Sequence, residues 1–234
     1  GALSVSQIKG VSVTQIKALT TTDIGELAST QIGALSTVQI STFGTTQAQQ
    51  LSTTQLSALS STQIAALGAT NLKLLDATQL GALTSTQIKG LTSAQLAGLT
   101  TTNVGDLADT QVAALSSTQL GALTSTAFSA LDATQVAALS ETQVKGLTAT
   151  QLKGLTTTDI GELATTQLSA LSAAQLGALS ATNVSALDET QVAALTATQV
   201  KGLTATQLKG LSTTDVSELA DTQVAALTAA QLGA

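Results

Sequence analysis

The sequence predicts an all-α solenoid of 29 eight-residue repeats, each a very short capped helix plus a turn. Three observations predict it. Every eighth residue from position 3 to position 227 is Leu, except Val11 and Phe43, in 29 consecutive positions without insertion or deletion. The consensus octad, L-[ST]-x-T-Q-[LIV]-x-[AG], contains a helix-start signal, as in Leu51-Ser52-Thr53-Thr54-Gln55-Leu56-Ser57-Ala58. The charged residues fall in columns that a helix dipole favours. Repetition at a short fixed period marks a solenoid or array.

A continuous helix fails on geometry. At about 100° per residue, eight residues overshoot two turns by roughly 80°, so an octad stripe winds around the rod. Heptads and hendecads avoid that drift. One break per octad removes it, and the sequence supplies the break. With Ser52 as N-cap, Gln55 is the third helical residue and completes a capping box, while Leu51 and Leu56 flank the start as a hydrophobic staple. Leu147, Thr148, Gln151 and Leu152 repeat this alignment, as do Leu203, Thr204, Gln207 and Leu208.

The Gln column holds 22 Gln in 29, interrupted by Asp23, Asn71, Asn103, Ala127, Asp159, Asn183 and Asp215. All eight Lys occupy the fifth helical position. Ten of the fourteen acids lie at the cap, first or third position, among them Asp76, Asp132 and Asp188 at the cap. Anions early and cations late suit the dipole. The other four acids, Glu26, Asp106, Glu162 and Glu218, sit at the sixth position, which is otherwise mostly Ala or Gly. Small residues there place this column at a helix–helix contact or at the exit turn.

Helices this short are unstable alone, so stability must come from contacts between successive coils of a quasi-one-dimensional array. Two or three octads per coil both fit. A β-solenoid is the alternative, with Thr54, Leu56 and Ala58 inward and Gln and Thr in ladders. The near-invariant Leu, the abundant Ala and the reciprocal caps favour helices.

The whole chain, 1–234, reads as one continuous array. Residues 145–155 recur unchanged at 201–211, a larger period of 56 residues or seven octads. The segment 40–50 departs most from consensus. There Phe43 replaces Leu and Ala48 replaces the aliphatic residue, a volume-conserving exchange, and Phe128 beside Ala127 reads likewise.

Composition excludes whole classes of function. The chain has no Cys, His, Trp, Tyr, Met, Pro or Arg. Thiolate and imidazole metal ligands are absent, and so are the usual general base and the strongest nucleophile. No enzyme, no cofactor and no catalytic or metal site is expected. A net charge of −6 opposes phosphate-backbone binding, so no nucleic-acid partner is expected. No apolar run reaches about 18 residues, so no membrane insertion is expected.

Two surface features invite binding readings. Asp23 with Glu26, Asp159 with Glu162, Asp215 with Glu218, and Asn103 with Asp106 lie three apart on a helix face, a spacing suited to weak Ca²⁺ binding. No EF-hand loop or calcium nonapeptide accompanies them, so solvated carboxylates that discourage aggregation are favoured. Thr fills 24 of 29 second helical positions, a regularity that fits ice or glycan binding if the column is exposed.

The octads, for example Leu139-Ser-Glu-Thr-Gln-Val-Lys-Gly-Leu147, resemble the short L-[ST]-x-x-Q-[LIV]-x-x-L repeat arrays of very large secreted or surface proteins of bacteria, adhesin-like and RTX-associated. The resemblance implies an extracellular or cell-surface spacer, stalk or filament segment. Residues 1–2 and residue 234 stand in mid-octad columns with no polar capping repeat, so the expected partners are the chain itself, stacked head to tail, or neighbouring domains of a longer chain.

Overall fold

The structure, a computed structural model, describes residues 3–233. Residues 1–2 and 234, on which the end registers were read, lie outside the described residues. Among the described residues there are 29 helices and no strand, from α1 (Val5–Gly10) to α29 (Ala229–Leu232), one per octad and numbered accordingly. The β-solenoid alternative is thereby set aside. The chain divides into two compact units, Gly1–Leu123 and Thr124–Ala234.

Most helices begin as the octad dictates. In α7 (Thr53–Ser57) the Ser52 backbone is extended, Gln55 N–H donates to Ser52 Oγ at 3.2 Å, and Ser52 N–H donates to Gln55 Oε1 at 2.8 Å. Where Ala occupies the cap, only the Gln half remains, as in Ala108 N–H to Gln111 Oε1 at 2.9 Å. The helix closes when the next Leu donates back three residues, Leu59 N–H to Leu56 O at 3.1 Å. Successive turns therefore need no left-handed residue. The one positive φ among the described residues is Gly68, at 77°, where α9 (Gly68–Leu72) starts directly from α8 (Ser61–Ala66) without a capping box.

Within each unit a helix packs on the third helix after it. In the first unit α8 meets α11 (Ser85–Lys89), which meets α14 (Asp109–Ala114). In the second, α18 (Glu141–Lys145) meets α21 (Thr165–Ala170), which meets α24 (Glu189–Ala194). Three octads therefore make one coil. Two aliphatic columns form the core of each unit: the fourth helical position, with Ile64, Ile88 and Leu152 at 0% exposure, and the Leu column, with Leu59 at 3%. Phe43, Ala48 and Phe128 are buried in the same columns, and Ala127 is buried beside Phe128 in the Gln column.

The coil period also places the 56-residue repeat. Seven octads are two coils plus one helix, so a duplicated block lands on the next face. Within the second unit α18 stacks with α21 and α24, whereas its copy α25 (Ala197–Lys201) stacks with α22 (Ala173–Leu176) and α28 (Asp221–Val224).

Candidate functional surface and sites

The Gln column joins the coils. Gln87 uses Oε1 to accept the Thr84 N–H at 2.8 Å, and its Nε2 donates to Leu56 O and Leu59 O, both at 2.7 Å, 31 and 28 residues back. Gln55, Gln111, Gln167 and Gln199 repeat both bonds. One side chain thus caps its own helix and ties it to the coil before. Most of these amides are buried, which is favourable because both ends are bonded.

The sixth position is a contact, not a left-handed exit. Gly90 has φ −84°, and a Cβ placed on it falls 2.5 Å from Ser61 Cβ, at the first position of α8 one coil earlier. Gly154 meets Ser125 and Gly202 meets Ala173 in the same way.

An acidic sixth position, Glu162, stands at this contact. Glu162, on α20 (Thr157–Glu162), lies near Asp132, the cap of α17 (Ala133–Ala137), and near Asp159 on its own helix. Burial pushes the Glu162 carboxyl above its ordinary 4.5, and the charges of Asp159 and Asp132 add to that. The cap aspartates shift the other way: hydrogen bonds from Thr134 Oγ1 and Gln135 N–H hold Asp132 below 3.8, and those from Thr190 and Gln191 do so for Asp188. Burial acts to raise Asp215, but bonds from the Ser212 backbone and the Ser185 hydroxyl outweigh it and leave the group low.

Wherever Asp replaces Gln above an earlier coil in the second unit, a Ser stands 30 residues before it and donates to it. Ser129 Oγ bonds to Asp159 Oδ2, and Ser185 Oγ to Asp215 Oδ2 at 2.7 Å. Ser in the fifth column looks unremarkable in the sequence, and only the coil period of 24 residues reveals the pairing.

The structure keeps the expected acidic pairs on shared helices: Asp23 and Glu26 on α3 (Thr21–Glu26), Asp159 and Glu162 on α20, and Asp215 on α27 (Thr213–Ser217), which Glu218 caps. Asn103 lies on α13 (Thr101–Gly105), with Asp106 as its C-cap. No group of three or more His, Cys, Asp or Glu among the described residues is arranged to hold a metal ion.

The second helical column is exposed throughout, on every helix from Ser6 to Ala230. Thr62, Thr134 and Thr190 hydrogen-bond to the cap residue two before them; no other Thr of this column has a side-chain bond to the described residues. On one face Thr62, Thr86 and Thr110 succeed one another on the stacked helices α8, α11 and α14. Concave features are open hollows between neighbouring helices, such as the one bordered by Thr150, Lys153, Gly177 and Ser180. No described helix is long and apolar enough to cross a membrane.

Stacked short helices tied by a buried amide define a helical repeat protein. Among protein families, one described as the ALTTAQ repeat matches residues 74–109, a stretch of octads that includes Ala82-Leu-Thr-Ser-Thr-Gln87. No curated protein and no solved structure matches the chain.

Proposed function

We propose that this repeat protein is a non-catalytic structural segment, a spacer or stalk that holds other parts apart and lengthens by one coil for every three octads. The observation that carries this reading is the Gln bridge: each bridged coil accepts from the coil after it and donates to the coil before it. Neighbouring octads of the same kind, or a second copy of this chain stacked head to tail, would continue the same bridges. An extracellular or cell-surface setting follows from the resemblance to adhesin-like arrays alone.

Sedimentation and electron microscopy at rising concentration test the stacking, and particles that stay monomeric at every concentration overturn it. For the spacer role, inserting three consensus octads adds one coil, about 8–10 Å of helix-to-helix distance. X-ray scattering that shows no lengthening removes that role.

A second reading, a binding module for ice, glycans or weakly held Ca²⁺, draws on the Thr column, which is exposed and more uniform than capping requires. Ice-affinity and glycan-array measurements on the wild type and on a Thr86→Val/Thr110→Val variant test it. Equal behaviour of the two proteins sinks it.

A further inference from the structure

Amides close most seams between coils in the second unit. Gln167 reaches Val136 O at 2.7 Å and Leu139 O at 2.9 Å, and Gln191, Gln199 and Gln207 do likewise. The seam between α17 and α20 has Asp159 in the bridging place. A carboxylate carries no donor, and no side chain of the described residues bonds to the Leu131 carbonyl, 28 residues back. Length is not what is missing. Asn183, the same size as Asp, reaches the Leu155 carbonyl from the equivalent position at 2.9 Å.

The charges of Asp132 and Asp159 both fall on Glu162 at this seam. The Ser129 hydroxyl and the Thr156 N–H both donate to Asp159 Oδ2, which holds it as an acceptor. Glu162 Oε2 is buried with no hydrogen-bond partner. The facing elements bring no cation. The end of α16 (Ser125–Phe128) offers Ser129, α17 offers Asp132 at its cap, and α23 (Ala181–Ser185), on the other side of α20, has no titratable side chain. No ion pair joins Lys153, at the end of α19 (Ala149–Lys153), to the cluster.

We propose that the α17–α20 seam is a pH-operated joint: when ionised, its carboxylates and the undonated Leu131 carbonyl hold the coils loosely, and proton uptake closes it. A proton on Glu162 removes one of three like charges from a partly dry contact and turns its buried, unpartnered carboxylate into a hydrogen-bond donor. The raised Glu162 pKa places this uptake in mild acid. Its stabilising effect is complete below the ordinary 4.5 and fades as pH rises through the raised value. The joint is independent of whether the array serves as spacer or binding surface.

Hydrogen-exchange protection factors, corrected for intrinsic rates, test the joint at about pH 7.5 and about pH 5. Amides of α17 and α20 gain about three- to tenfold protection at the lower pH, while those at the Gln167-bridged seam between α18 and α21 do not change. Asp159→Gln combined with Glu162→Ala installs consensus residues, so the variant folds and is protected equally at both pH values. A native seam with no pH response, or a variant that keeps the full response, overturns the proposal.

Discussion

The side-chain amide of Gln87 lies 2.7 Å from the carbonyl oxygen of Leu59, one coil before it, while its own oxygen caps the helix it belongs to. This pairing makes a local helix signal into a long-range tie. Gln87→Leu removes the cap acceptor and both donors, leaving the buried Leu59 carbonyl and the partly exposed Thr84 N–H without these partners. The expected loss is about 2–4 kcal/mol, measured by denaturant unfolding. Gln87→Glu keeps the acceptor but sets a charge against two carbonyls, so its cost shrinks in acid. A pH-independent cost for Gln87→Glu contradicts the bridging role.

The Leu column ends one helix and staples the next. Leu115 donates to Val112 O at 3.2 Å to close α14, and it precedes the Ser116 cap of α15 (Ser117–Gly121), buried at 3% exposure. Leu115→Ser is expected to cost about 2–5 kcal/mol. Hydrogen exchange should rise in both α14 and α15. Faster exchange in one helix alone refutes the double role.

The glycines divide by contact. Gly90→Ala drives a Cβ into Ser61 and is expected to destabilise by about 1–3 kcal/mol. Gly81, at the end of α10 (Ala77–Gly81), has nothing within 4 Å of the added atom, so Gly81→Ala is expected to stabilise by about 0.4–1 kcal/mol. Thermal melts of the two variants, moving in opposite directions, check this.

Stability against pH should pass through a maximum in mild acid. Asp132, Asp188 and Asp215 have carboxyls held low, so their contribution is present above the ordinary 3.8 and is lost as pH falls through the depressed values. Glu162 acts in the opposite sense, its contribution present below 4.5 and lost as pH rises. A melting temperature that climbs steadily from acid to neutral pH contradicts the opposed shifts.

Much of this was legible from residues three to five apart. The caps at Ser52 and Gln55, the Leu staple, the burial of Phe43 with Ala48, and the all-α class follow from short-range hydrogen bonding and volume. The sequence left the sixth position as either turn or contact, and Gly90 against Ser61 decides for contact. It also left the acids at that position without a reason, and Glu162 stands beside Asp132, the cap aspartate one coil earlier.

The sequence by itself determined where each helix starts, which columns are apolar, and where charge falls, because those depend on neighbours within one octad. Only the tertiary structure decided that three octads make a coil. That number sets which residues meet across 24 to 31 positions: Gln87 with Leu59, Ser129 with Asp159, and Glu162 with Asp132. The repeat pattern is the same for any number of octads per coil. The angle between consecutive helices, a product of packing around the aliphatic core, selects one of them and with it every tie between coils.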